Sequence, residues 1–339
     1  MSTHENTYVI KKIDAAAYAD WDRFVFSAAG GTLFHTARWA KVIEHHFQRS
    51  FKILTVQKAD DTVGGMIIWP KTMAGITMIT HPPATRYQGM LVRAPESDKP
   101  SSRIAHYHAV LAPLIAYLKE HYAYTDITLA PFCNDMRPLQ WHGFEVQPAY
   151  TYLFTITQPE ELKRQFSQAL RRKYNKAEKE GLTVARSSQP ADLIRFIRES
   201  YAHHNIKPPI PFDSMPGLFK TVLDQDIGHL FYLQEDGRQV AGLLLLSDAK
   251  GVYAYFSGMD QTRRRQNDTD YLHAKALQDP DFAGKVFDFL GSNTAAFEQF
   301  KRSFGGQLQT YYRARYFRNQ GIRWLTAIRL KQMRAKRKL

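Results

Sequence analysis

The chain has a single cysteine, Cys133, which excludes an intramolecular disulfide and a thiolate zinc cluster and fits a reducing compartment. Beside Pro131-Phe132 it reads as a core thiol rather than a nucleophile. No run approaches the ~20 apolar residues of a membrane span, and the opening MSTHENTYVIKKIDAAAY lacks the apolar core of a secretory signal, so the sequence places the protein in the cytoplasm. Neither a G-x-S-x-G elbow nor a P-loop occurs. The histidines at 45–46, 106, 108 and 203–204 lack the i, i+4 helical spacing of a chelating pair, so no resident metal is expected. Acid is scarce: 32 Asp+Glu against 46 Lys+Arg leave a net charge of +14, which favours anionic partners such as tRNA, nucleotide-linked precursors, coenzyme A or an anionic membrane face.

What is present is the ordinary material of a folded chain. Hydrophobic residues make up 44% and charged residues 23%, which argues against disorder, and 339 residues suffice for two domains. Tyr8 to Lys11 reads as a strand; Asp14 can cap a helix through Phe26, and Thr36 a second from Ala37 to Phe47. FKILTVQ, GGMIIWPKTM and GITMIT read as an antiparallel meander that His81-Pro82-Pro83 breaks. A helix from Ser102 to Tyr122, the strand TDITLAP and the run FEVQPAYTYLFTIT lead into a second half. There the plan recurs: a helix from Glu160 to Glu180, LTVARS, a helix from Asp192 to His204, the strands HLFYLQ, RQVAGLLLLS and GVYAYFSG, a helix from Thr269 to Gln278 and a strand at Phe287. The expected fold is α/β, with two similar domains over 1–150 and 151–319, each a mixed, mostly antiparallel sheet flanked by helices.

The most informative run is Asp288 to Gly306, DFLGSNTAAFEQFKRSFGG. An apolar strand ends at Gly291-Ser292, Ser292 or Asn293 can cap a short helix, and Gly305 ends that helix. Phe297, Phe300 and Phe304 recur at i, i+3 and i+7, which predicts one stripe facing the core, with Glu298, Lys301 and Arg302 outside it. Lys301 is then either a solvated position on a core helix or a cation at a partly dry site, where its charge is less screened than in water. The helix QALRRKYNKAEKEG similarly puts Phe166, Leu170, Tyr174 and Ala177 on one side and Arg172, Lys176 and Lys179 on the other, a basic face suited to solvent or to phosphates.

DF-x-GS followed by FKRSFGG resembles the C-terminal signature of the Fem-like branch of the acetyltransferase (GNAT) superfamily, whose members include peptidyltransferases that add amino acids to cell-wall precursors and related N-acyltransferases. FHTARW, HPPATRYQGMLV and LRRKYNKAEKEGLTV resemble other landmarks of that family in the same order, so the resemblance spans nearly the whole chain. It implies paired GNAT-like domains, with residues 320–339 returning to the first, and transfer of an acyl or aminoacyl group to an amine acceptor. The co-substrate would be acyl-CoA or aminoacyl-tRNA, with no tightly bound cofactor. Lys301 matches the family's lysine that stabilises the oxyanion of the tetrahedral intermediate. Arg38, Lys41 and Lys207 fall where the family places cations for a phosphorylated acceptor, and Arg86 and Tyr87 sit in a loop that can be turn or site wall.

One departure bears on the donor. Acetyltransferases of this superfamily present a glycine-rich loop whose backbone N–H groups hold the pyrophosphate. The corresponding stretch, MDQTRRRQNDTDYLHAKAL, has Arg263, Arg264 and Arg265 but no glycine before the helix, so charge would have to replace the backbone cradle. Asp268, Asp270, Asp288 and Glu298 all lie near the motifs and none is singled out as a general base. The segment GIRWLTAIRLKQMRAKRKL, with seven Lys/Arg and no acid, admits a different reading: a non-catalytic binder of anionic polymer, or a peripheral contact with a membrane surface.

Overall fold

The computed structural model describes residues 8–203, 205, 207–262 and 268–335, with 296 and 329–335 described by backbone alone. The chain folds into two compact units, residues 1–149 with 310–333 and residues 150–309.

Unit 1 opens with β1 (Tyr8–Ile13), α1 (Tyr18–Ser27) and α2 (Ala37–Phe47), the last capped by the Thr36 hydroxyl, which accepts from the Trp39 N–H at 3.1 Å. Then follow β2 (Lys52–Lys58), β3 (Asp61–Ile68), β4 (Pro70–Met73), β5 (Ile76–Ile79), β6 (Leu91–Val92), α3 (Pro100–His121), β7 (Tyr124–Leu129), α4 (Arg137–Trp141) and the start of β8 (Glu145–Thr155). The strands β1, β2, β3 and β6 pair antiparallel in that order. The run GGMIIWPKTM is not one strand of a meander. It breaks at Trp69, and β4 pairs with β5 in a different sheet, because Pro70 has no N–H to continue the ladder of β3 and suits an edge strand. β5 runs parallel to β7.

Unit 2 takes β8 from Tyr150 onward and adds α5 (Pro159–Gln165), α6 (Gln168–Lys179), β9 (Thr183–Ser187), α7 (Ala191–His203), α8 (Met215–Asp224), β10 (Gly228–Glu235), β11 (Arg238–Ser247), β12 (Gly251–Met259), α9 (Asp268–Ala276), β13 (Val286–Asp288) and α10 (Ala295–Arg302). β9 to β12 form an antiparallel series; β13 runs parallel to β12 and antiparallel to β8. Two helices replace the single one expected over 160–180. Phe166 is extended (φ −62°, ψ 145°), the Ser167 hydroxyl caps α6 by accepting from the Leu170 N–H, and the Ser167 N–H donates to the Ser303 carbonyl at 2.8 Å. A distant turn thus fixes the break, which no local spacing reveals. α8 has no counterpart among the elements expected from the sequence; it carries Pro216 in its first turn, where proline is tolerated.

The second segment of unit 1 begins at Thr310, inside β14 (Gln307–Phe317), which pairs antiparallel with β7 before α11 (Gln320–Ala335). Among the described residues no helix is long and apolar enough to cross a membrane.

Candidate active site

β12 and β13 are paired only over Gly251–Tyr253 and Val286–Asp288. Beyond Tyr253, β12 runs on to Met259 against β11 alone, after a register shift at Leu244/Leu245. A parallel pair that parts in this way opens a gap on one side of β12. The opening is a cleft of about 1130 Å3, lined within unit 2 by Tyr255 to Met259 of β12, by α6, α7 and α9, and by α10 with Ser303.

Three cleft residues carry titratable groups that interact or lie one turn apart. Asp270 and His273 stand at i and i+3 on α9, so both face the same side. The Asp270 carboxylate is buried and lies 3.2 Å from the Lys173 ammonium of α6. Burial pushes its pKa up, and the lysine opposes that. His273, 3% exposed, donates from Nδ1 to the Thr269 carbonyl at 2.7 Å, since a carbonyl can only accept. Its ring is packed edge-on between Phe300 and Phe304, and burial, with a smaller push from the Lys301 charge, lowers its pKa from 6.5 to about 4. The Tyr255 hydroxyl, also in the cleft, is held protonated by burial.

Two of the other carboxylates near the motif, Asp288 and Glu298, are committed elsewhere. Asp288 accepts from the Thr151 hydroxyl at 2.6 Å and the Leu290 N–H at 2.7 Å, fixing the turn after β13. Glu298 accepts from the Tyr152 hydroxyl at 2.7 Å and pairs with Arg302 at 3.0 Å. Among the described residues no group of three His, Cys, Asp or Glu side chains could hold a metal ion.

The residues singled out from sequence do not converge on this cleft. Lys301 is half-buried and donates to the carbonyls of Phe289, at 3.2 Å, and Gly291, with its ammonium 5.7 Å from the Phe289 ring centre; its helix neighbours Phe300 and Arg302 line the cleft instead. The phenylalanine stripe is corrected at its first position: Phe304 is fully buried and Phe300 partly, whereas Phe297 is 59% exposed at the cleft. Asn293 does not cap α10; its side-chain carbonyl accepts from the Tyr150 N–H at 2.9 Å. Arg172 and Lys179 are exposed on α6, Lys176 pairs with Glu180 at 3.8 Å, and Lys173, which sequence reading passed over, is the lysine of α6 in the cleft. Lys207 is exposed two residues before Pro209, a cleft residue. Arg263, Arg264 and Arg265 lie outside the described residues.

In unit 1, Arg38 and Lys41 are exposed on α2, with the Lys41 ammonium 5.2 Å from the centre of the Tyr18 ring. The loop around Arg86 is not an exposed site wall. Tyr87 is fully buried and Gln88 nearly so, and the Arg86 guanidinium stacks 5.1 Å from the Tyr311 ring centre while donating to its hydroxyl. Tyr87 therefore serves the core, against Phe34 and Tyr311, rather than a ligand.

The neutral histidines predict an acid sensitivity. Burial lowers His35, whose Nε2 is buried without a partner, to about 3, and His273 to about 4. The unfolded chain then binds more protons than the fold, so stability present above about pH 6.5 is lost as pH falls toward those values, at about 1.4 kcal/mol per pH unit per ring. Urea denaturation of the wild type and of His35→Leu across this range should show a shallower acid slope in the variant; equal slopes would contradict a buried neutral ring.

Two comparisons with known proteins agree with this architecture. Residues 164–302 match the family model "Acetyltransferase (GNAT) domain". A search of curated proteins finds no match. Among solved structures the chain is similar to FemX (14% identity, 93% of this chain and 99% of that one, TM-score 0.71). It is also similar to the C-terminal domain of a lysylphosphatidylglycerol synthetase from Agrobacterium fabrum (11%, 90% and 93%, TM-score 0.54). A third is a tandem GNAT protein from the clavulanic acid biosynthesis pathway (8%, 92% and 99%, TM-score 0.51). At such identities the likeness is one of fold. The cleft lies in residues 164–302, the segment that matches the acetyltransferase (GNAT) domain model, and the fold of the chain as a whole is similar to that of FemX.

Proposed function

We propose that the protein is an N-acyltransferase in which an amine attacks the carbonyl of an acyl group presented in the unit 2 cleft, the donor being an acyl-CoA or an aminoacyl-tRNA. The observation that carries this reading is the parting of β12 from β13 beyond Tyr253, which borders a cleft inside the acetyltransferase segment. An extended donor arm laid in that gap would run alongside the backbone of β12. The acceptor amine could belong to a small molecule or to a cell-envelope precursor, for which Lys207, two residues before the cleft residue Pro209, is the cationic candidate in unit 2 and Arg38 and Lys41 are exposed cations of unit 1.

Lys301 fits this reading as an electrostatic element. Its ammonium is anchored by two carbonyls, and its charge is felt at His273, so it can favour negative charge developing at that end of the cleft. Arg172, Lys176 and Lys179, with Arg263 to Arg265, would hold donor phosphates by charge. Trp324 and Leu325 are exposed on α11, the observation behind a surface-binding reading; in an acyltransferase such a face would be an accessory to the site.

Thermal-shift titration with acetyl-CoA, alanyl-tRNA binding at low salt, and transfer from each donor to glycinamide test the proposal. One donor should raise the melting temperature and acylate the amine. Binding of neither would overturn it.

A further inference from the structure

His273 is the neutral side chain on the cleft wall with a nitrogen lone pair to offer. Nδ1 carries the ring proton, because it donates to the Thr269 carbonyl of its own helix. In the neutral ring Nε2 is then an acceptor, and among the described residues it has no hydrogen-bond partner. It lies across the ring from Nδ1, which is turned to the helix backbone, and His273 is a residue of the cleft wall. Phe300 and Phe304 fix the ring plane edge-on, at centroid distances of 5.2 and 6.3 Å, so the lone pair has a set direction. This is an oriented acceptor with a defined tautomer, which suits an N–H donor far better than an anion.

We propose that His273 Nε2 receives the acceptor amine, orients its lone pair toward the acyl carbonyl, and takes the proton that the nitrogen sheds as the C–N bond forms. The inference rests on the acyltransferase reading above and names the residue that reading leaves open. The step balances: the amine nitrogen bonds to the carbonyl carbon, its proton passes to Nε2, and the intermediate collapses by breaking the bond to the ester oxygen or thioester sulfur. The imidazolium then returns the proton to that leaving group, and the ring is neutral again.

The surroundings explain why the imidazole takes this role. Asp270, one turn away on α9, is already held by the Lys173 ammonium at 3.2 Å, and protonating it would strand that half-buried cation. The hydroxyl of Tyr255 is kept protonated by its burial and is a donor, not a base. Lys301 from α10 and Lys173 from α6 face the region with positive charge, and Asp270 offsets the latter. Burial, with a smaller push from the Lys301 charge, makes His273 a weak base but secures its neutral form, and the nitrogen of the tetrahedral intermediate is a far stronger acid than a free ammonium. Proton transfer of this kind contributes typically ~10²–10⁴-fold to rate.

Two measurements on the full chain test the proposal. In the first, 15N-histidine NMR of the wild type should report His273 as the Nδ1–H tautomer near neutral pH. Its Nε2 resonance should shift on adding glycinamide; a resonance that glycinamide leaves unmoved at saturation would overturn the proposal. In the second, His273→Asn keeps an amide N–H for the Thr269 carbonyl and removes Nε2. Its kcat should fall by ~10²-fold or more with little change in the donor KM and in the melting temperature. Wild-type kcat in that variant would overturn it as well. If the wild type acylates nothing from acetyl-CoA or alanyl-tRNA, the acyltransferase assignment of the cleft fails instead, and the glycinamide titration still decides whether His273 receives an amine.

Discussion

Replacing Lys301 by alanine is expected to lower turnover by ~10²-fold or more, the usual effect of removing a group aimed at a developing oxyanion. It is also expected to destabilise unit 2 by about 1.5–3 kcal/mol, because the ammonium bonds the carbonyls of Phe289 and Gly291 and charge-assisted bonds of this kind have that worth. The two effects separate experimentally. Single-turnover acyl transfer reads the chemistry well below the melting temperature, and urea unfolding reads the fold. A variant that loses stability but keeps full turnover would assign Lys301 to holding the turn after β13 and remove it from the reaction. Full turnover with unchanged stability would contradict both its placement and its role.

Gly305→Ala should be the most disruptive small substitution in the signature. Gly305 has φ +80°, a conformation that costs a residue with a side chain about 1–2 kcal/mol, and an added Cβ would also run into the main-chain carbonyl of Gln165. Backbone cannot swing aside as a side chain can, so the total should reach about 3 kcal/mol or more. The damage is not confined to the turn. Gln165 ends α5, and the Ser303 carbonyl two residues before Gly305 accepts the Ser167 N–H that starts α6, so forcing Gly305 away from Gln165 unseats the helix that brings Lys173 to the cleft. Both the denaturation midpoint and donor binding should fall. Gly306→Ala should be milder, since its Cβ would meet a ring carbon of Phe154 at 3.0 Å and the Leu153 carbonyl oxygen at 3.1 Å. Equal stability of wild type and Gly305→Ala would show that the close approach to Gln165 is not rigid.

The paired glycines illustrate how the sequence speaks about this protein. FKRSFGG could be read as a signature, and Gly305 as a helix stop, yet nothing local said that the stop exists because another helix break lies against it. Elements whose hydrophobic period is long and uninterrupted, such as α3 and β10 to β12, were legible from spacing. Those set by remote partners were not. The division of α5 from α6 depends on Ser303, and the end of β3 on a sheet change at Trp69. The site was legible only in part for the same reason. Lys301 stood out because it lies in a recognisable run, whereas Lys173, Asp270 and His273 come from two helices about 100 residues apart in sequence. The Asp270–His273 spacing was a usable local hint; the lysine that completes the group is a matter of tertiary packing. Phe297 misled because only it and Phe300 lie on the eight-residue α10, with Phe304 past its end, and so short a stripe does not show which end leaves the core.

The return of the chain at Thr310 gives the molecule an order of completion. β7 is buried along its whole length, and its antiparallel partner β14 is encoded nearly two hundred residues later. A ribosome therefore releases every residue of unit 2 before it releases the strand that unit 1 awaits, at ~5–20 residues per second. In that interval unit 1 waits with the edge of β7 uncovered. The half of the chain made first is thus the half finished last, and a shortened product ending before β14 would uncover the edge of a buried strand and take Arg313 from the Asp126 carboxylate rather than merely lack a tail.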